Sequence, residues 1–229
     1  MSLPILYSLH SCPYAMRARL ALYASGIDYE LRQIISSNKP AELFIASPKA
    51  TLPVLVLPTG RVIDQSLDIL VWALRQNDPY KWLMSALAPE SSGIQDAFNM
   101  LSRCDGEFKF HLDRYKYPNR FANDVQSNDV IEHRDNAANF AALVNEHISQ
   151  DRYDFYSYTG MYYAGCMPFI WQFAYADKAW FDKQPWPALQ AALADFETSV
   201  PFSKVMDVYE PWQAGSEAVV ISAKALSEV

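Results

Sequence analysis

The periodicity of this chain changes once, near residue 78, and that single change limits the folds open to it. Before that point short apolar runs alternate with helical stretches; after it the strand signals stop. Pro4-Ile5-Leu6-Tyr7 reads as a strand. Ile27, Tyr29 and Leu31 alternate with Asp28, Glu30 and Arg32, and the runs Val54–Leu57 and Arg61–Ile63 flank the turn Pro58-Thr59-Gly60. Helical spacing runs from Pro13 to a glycine stop at Gly26, over Pro40–Ala46, and through Leu67, Leu70, Val71 and Leu74 of Ser66–Gln76. The order β-α-β-α-β-β-α predicts a small α/β unit over residues 1–78, ended by Asn77-Asp78-Pro79-Tyr80, with a linker over 79–89. Long helices are expected over about 92–117, 129–149, 161–179 and 187–198, with a short turn near 202–207, so 90–229 reads as an all-helical second domain.

Composition narrows the partners. Across 229 residues the net charge is −7. Seven lysines and arginines face six acids through Asp78, and the remainder carries twelve against twenty. An acidic chain without a basic stripe is a poor nucleic-acid binder, whereas the near-neutral first third suits a small anionic ligand. The sequence holds no apolar stretch of membrane-spanning length and opens on nothing like a secretory signal. Three cysteines (Cys12, Cys104, Cys166) do not make a disulfide framework and fit a reducing, cytoplasmic setting. His111, His133 and His147 lack metal-ligand spacing, and no phosphate-cradling glycine loop occurs, so no metal or nucleotide site is expected.

Chemistry concentrates at three places in the first third. Cys12 falls at the cap of a helix with Pro13 at its first position, where unpaired N–H groups and the dipole favour an anionic sulfur. Arg17 and Arg19 add positive charge within two turns. Pro53, in Thr51-Leu52-Pro53-Val54, stands just before an apolar strand, a position where a cis bond is tolerated. Such a bond leaves the N–H and C=O of Leu52 open to an extended peptide. Asp64-Gln65-Ser66-Leu67-Asp68 is a polar cluster at a helix start, suited to holding a carboxylate.

With those residues in that order, the chain resembles a cytosolic glutathione transferase, most similar to the cysteine-type, omega-like enzymes. The resemblance implies a thioredoxin-like N-terminal domain followed by an all-helical C-terminal domain. The family's Cys-Pro-aromatic-Ala motif matches Cys12-Pro13-Tyr14-Ala15, which implies a catalytic Cys12 with Tyr14 beside bound glutathione. Asn38-Lys39-Pro40-Ala41 mirrors a family stretch whose lysine reaches the glycyl carboxylate, implying that role for Lys39. Leu52, before the expected cis Pro53, takes the place that pairs with the cysteinyl backbone. Gln65-Ser66 takes the place of the pair that holds the γ-glutamyl group. Gln65 replaces the family's acid there, with Asp64 or Asp68 as substitutes for the lost charge. Across the helical domain the match is looser: the capping box expected at Thr159 meets Tyr163 where an acid belongs.

The family implies glutathione as co-substrate, a small electrophilic or disulfide acceptor and a homodimer. The leading expectation is thiol transfer through a Cys12–glutathione mixed disulfide. Conjugation of glutathione to an electrophile, with Cys12 or Ser11 only stabilising its thiolate, is a second reading, and a non-catalytic binding module is a third. Cys104 and Cys166 read as core thiols. Phe108, Leu112 and Tyr115, with Arg114 beside them, and Trp171, Trp180 and Trp212 are candidates for an acceptor pocket, with core packing the favoured reading of each. His10 is a candidate proton carrier.

Overall fold

The computed structural model describes residues 2–83, 93–121, 129–150, 154–157 and 159–222. They form two compact units, one of Met1–Leu83 with Ser199–Val229 and one of Met84–Thr198. In the first unit β1 (Ile5–Ser8) leads through α1 (Pro13–Ser25) to β2 (Tyr29–Gln33). Then follow α2 (Ala41–Ala46), β3 (Val54–Val56), β4 (Val62–Ile63) and α3 (Ser66–Gln76), in the order expected from the sequence. β1 pairs parallel with β2 and antiparallel with β3, and β3 pairs antiparallel with β4. The parallel β1–β2 pair needs a crossover, and α1 supplies it.

Alternation along the strands sorts the two faces of the sheet. Ile5 and Tyr7 of β1, with Val54 and Val56 of β3, join a cluster closed by Leu43, Ala46 and Trp212. Helices α1 and α3 pack together. α1 starts with Pro13 at its first position and ends where Gly26 takes a left-handed φ of 63°, its N–H returning to Leu22 and Tyr23 carbonyls.

The sheet differs from the sequence expectation at its edge. A fifth strand, β5 (Val219–Ile221), pairs antiparallel with β2, Leu31 opposite Val219 and Tyr29 opposite Ile221. The segment from Ser199 onward, expected within the helical domain, therefore groups with the first unit. Three β-branched residues in a row carry too short a pattern to read as a strand, and the edge of β2 supplies the partner that makes them one.

The second unit is helical: α4 (Gly93–Arg103), a single π-helical turn over Cys104–Phe108, α5 (Lys109–Lys116), α6 (Asp129–Gln150), α7 (Gly160–Ala174), α8 (Lys178–Phe181) and α9 (Pro187–Thr198). The helix expected over 92–117 is thus interrupted at Gly106 by a widened turn. Phe108, at the end of that turn, stacks on Phe140 at 4.6 Å and meets Phe173 edge-on at 5.6 Å. Leu112 is fully buried and Tyr115 lies edge-on to Phe173. That face is core, as the packing reading of these aromatics holds. Cys104 and Cys166 are buried and lie outside any disulfide. At the start of α7 the Thr159 side chain makes no capping bond to its helix. Its Oγ1 instead accepts from the Asp154 N–H at 3.0 Å and shares a hydrogen with Ser157 at 2.7 Å, so it organises the preceding turn. α10 (Val200–Val205) follows α9 and packs on α1 in the first unit.

Two features of the helical unit generate tests. A Cβ on Gly165 of α7 would lie 2.1 Å from Leu101 Cδ2 of α4, and Leu101 is fully buried, so it has no room to swing away. Gly165→Ala gains about 1 kcal/mol of helix propensity but overpacks the crossing, and a net loss of about 1–2 kcal/mol is expected. Urea unfolding would show it as a lower midpoint at unchanged slope. Between α5 and α6, His111 Nδ1 and His133 Nδ1 are 2.8 Å apart, so only one proton fits between them. Burial and then His133 draw the His111 pKa below its ordinary value, with Arg114 acting the same way and Glu107 and Glu132 opposing. A neutral native His111 binds fewer protons than the unfolded chain does. Stability is then full above the unfolded histidine value of about 6.5 and falls as pH drops below it. Thermal midpoints of wild type should decline between pH 7.5 and 5.5, and those of His111→Gln should decline less.

Candidate functional site

The turn from β1 into α1 builds the site. Cys12 is the cap of α1, extended at φ −75° and ψ 123°, and its carbonyl accepts the first helical bond from the Met16 N–H at 2.8 Å. Its own N–H donates to the Leu9 carbonyl at 3.3 Å, closing a turn over residues 9–12. The side chain is half-buried and makes no capping bond to α1. A protonated thiol has a hydrogen to place, and Sγ donates it in a long contact, 3.9 Å, to the carbonyl of Leu52. The Leu52–Pro53 peptide is cis. Cys12, Leu52 and Pro53 therefore come together, although forty residues separate them.

The remaining candidates fall around that pair. Ser66 is buried at the first turn of α3, and its Oγ accepts from Arg17 Nη1 at 3.2 Å. The same guanidinium lies 5.7 Å from the ring centroid of Tyr14. Arg17 is itself fully buried, so one side chain ties Tyr14 and Ser66 to the helix that begins at Cys12. Gln65, not Ser66, is the cap of α3, and its side chain is exposed and makes no capping bond. Of its two proposed substitutes, Asp64 accepts from Ser47 Oγ at 3.0 Å and pairs with Lys49 at 3.5 Å, while Asp68 is exposed in the first turn of α3. Lys39 Nζ donates to the Ala50 carbonyl at 2.9 Å, two residues from Leu52, and Ala50 holds a left-handed φ of 46°.

Two candidates from the sequence take structural roles. His10 Nε2 donates to the Met206 carbonyl at 3.0 Å, which leaves that nitrogen no lone pair for general-base work. Trp212 donates its N–H to Gln33 at 2.8 Å, meets Tyr7 edge-on, and carries the Arg32 guanidinium 4.1 Å over its ring. It is a packing residue of the sheet. In the helical unit Trp180 carries Arg134 in the same way, at 4.4 Å, and Trp171 packs on Tyr175 at 5.5 Å.

Sequence reasoning missed how Arg17 and Arg19 act. Both are buried, and Arg19 donates from its two Nη atoms to Ser8 Oγ, to Leu9 O at 3.2 Å and to His10 O at 2.5 Å. The available signal was their company. Ala15, Ala18, Leu20, Ala21 and Leu22 leave α1 no polar face on which two arginines can be solvated. Among the described residues no group of three or more metal-ligating side chains forms, and no helix is long and apolar enough to cross a membrane.

Comparison with known proteins follows the same division. The family described as "Glutathione S-transferase, N-terminal domain" matches residues 11–76. Glutathione S-transferase omega-1 of Mus musculus is 31% identical over 93 residues, 37% of this chain. The chain spans only 39% of that relative's length. Among solved structures, a glutathione transferase family member from Pseudomonas fluorescens, with two glutathione bound, gives a TM-score of 0.72 at 17% identity, covering 91% of this chain and 94% of that one. A glutathione transferase from Pseudomonas putida, with one glutathione disulfide bound per subunit, gives 0.73 at 14% identity over 91% and 93%. Glutathione transferase Omega 3C from Trametes versicolor gives 0.68 at 13% identity over 92% and 91%. These three likenesses carry the fold across both units. The sequence match carries the first third, where the chain is similar to the N-terminal domain of glutathione S-transferases and, over 93 residues, to an omega-class enzyme.

Proposed function

We propose that this protein is a glutathione-dependent thiol transferase that works through a mixed disulfide on Cys12. The observation that carries the reading is the meeting of a half-buried free thiol at a helix cap with Leu52 and cis Pro53. The backbone of Leu52 would pair with the cysteinyl unit of glutathione, Ser66 with Gln65 would hold the γ-glutamyl end, and Lys39 the glycyl carboxylate, with Tyr14 lining the same cleft. Lys39 would leave the Ala50 carbonyl to do so. Bound glutathione in the P. fluorescens neighbour and bound glutathione disulfide in the P. putida neighbour support that choice of ligand.

In the reaction the Cys12 thiolate attacks the glutathionyl sulfur of a mixed disulfide, the substrate sulfur leaves with the bonding pair, and a proton from solvent makes it a thiol. Cys12 then carries glutathione. A glutathione thiolate attacks that glutathionyl sulfur, glutathione disulfide departs, and the Cys12 thiolate is restored. One disulfide is reduced and one is formed, so electrons balance. His10 Nε2 is bonded to Met206, and the reaction as written takes its protons from solvent. The helical unit would supply the acceptor pocket, and the reducing cytoplasm is the setting in which such a thiol persists.

A homodimer is part of the same reading. In the first unit a groove of about 520 Å³ along β4 and α3 is lined by Arg61, Val62, Asp68, Trp72 and Arg75 among others. A two-fold copy would set arginines of one subunit against acids of the other, the self-complementarity that an isologous contact requires. Sedimentation equilibrium should give a dimer for wild type and a monomer for Trp72→Asp.

The central test is intact mass after exposure to oxidised glutathione at neutral pH. One glutathione adduct on wild type, removed by reduced glutathione and absent from Cys12→Ser, is the expected result. An unmodified wild type, or an adduct that persists in Cys12→Ser, sinks the proposal. Conjugating activity retained in Cys12→Ser would move the reaction to the electrophile class.

A further inference from the structure

Arg19 is a buried cation with no carboxylate among its described partners. It is 4% exposed, and each acceptor it reaches is neutral: the Ser8 hydroxyl and the Leu9 and His10 carbonyls. Its Nε–H meets no acceptor among the described residues. A guanidinium stays protonated in proteins and is costly to bury unless an opposite charge or a full set of acceptors answers it. Among the described residues Arg19 has neither.

A cavity of about 30 Å³ lies against this side chain, large enough for about two water-sized groups. Its wall is made by Arg19 of α1, Tyr29 of β2, Lys204 and Val205 of α10, and then Asp207 and Tyr209. Two cations thus face one carboxylate. Burial is the largest influence on both tyrosines and pushes their hydroxyls up, Tyr29 most of all, so each remains an O–H donor at neutral pH. Asp207 raises Tyr209 further, and both residues line the cavity. Arg19, Lys204 and the two tyrosines bring hydrogen-bond donors to a lining that is otherwise largely apolar, with Tyr23, Val205 and Ile221, and all of it belongs to the first unit. No candidate glutathione contact lines it.

We infer that this cavity is a binding site for a small monovalent anion, of the size of formate or chloride, closed over Arg19 by the C-terminal segment. The anion supplies the charge that the described partners of Arg19 lack and an acceptor for its Nε–H. Lys204 adds attraction, and Asp207 opposes it. Because the two Nη atoms of Arg19 hold Ser8, Leu9 and His10, the site stands behind the turn that presents Cys12. It does not depend on thiol transfer and survives if that reading fails.

The experiment replaces sodium gluconate by sodium formate at fixed ionic strength and pH 7.5, with thermal unfolding as the readout. Binding to the native state alone raises the midpoint with concentration, and a rise of about 3 °C by 100 mM formate is expected. Sodium butyrate, with the same charge on a longer chain, should give none. Lys204→Met should reduce the formate response to less than half, and Asp207→Asn should enlarge it; both changes sit at the cavity mouth and spare the buried Arg19. The inference fails if formate produces no rise, if butyrate matches it, or if the response is the same in both variants as in wild type.

Discussion

Two guanidinium groups buried along one helix set the geometry on which the rest of the first unit depends. α1 is apolar on every side, so Arg17 and Arg19 have no solvated face, and each has to find acceptors inside. Arg17 finds Ser66 at the start of α3, and Arg19 finds the turn between β1 and Cys12. A lysine in either place would bring a point charge with three donors in place of a rigid five-donor fork, so these positions are not open to simple exchange of cations. Hydrogen bonds to a charged group are roughly twice as strong as neutral ones. The turn and the helix start are therefore fastened to α1, and the sulfur at its cap is fastened with them.

The order of elements through residue 78 was legible because each strand and helix there carries its own local signal. Pro13 marks the helix start, Gly26 its stop, and Pro58-Thr59-Gly60 a hairpin turn. Cys12 and cis Pro53 were legible for the same reason, as each is a local oddity at an element boundary. Partners that depend on distant chain were not. Nothing near His10 announces Met206, and nothing near Gln33 announces Trp212, yet both hydrogen bonds form. The fate of Arg17 lay between these cases. Its burial follows from the alanines and leucines around it, whereas its partner follows only from the packing of α1 on α3. At Gln65 the polar cluster marks the helix start, but only the structure shows that the glutamine, with an exposed side chain, is the residue that caps it.

The C-terminal segment ties these observations together. Through α10 it packs on α1, through Met206 it holds His10, through Trp212 it meets Tyr7 and Arg32, and through β5 it completes the sheet beside β2. A thioredoxin-like sheet of four strands would leave the far edge of β2 with unpaired N–H and C=O groups, an invitation to edge pairing. β5 covers it. The first unit is thus built from the two ends of the described chain, which explains why reading the sequence in order assigned the last part to the wrong neighbour.

The three cysteines bear on what chemistry the turn can support. Cys104 and Cys166 are buried in the helical unit, 0% and 1% exposed, and Ala15 stands where a second thiol in the Cys12 motif would have to be. A disulfide formed on Cys12 consequently has no partner within reach of its own motif, and the two remaining thiols are shut away from solvent. Exchange needs an attacking thiolate with access to the sulfur under attack. In the proposed reaction the resolving thiol would therefore come from outside, as a small molecule beside Leu52 and Pro53, which is what would distinguish a transfer site from one that makes disulfides within the chain.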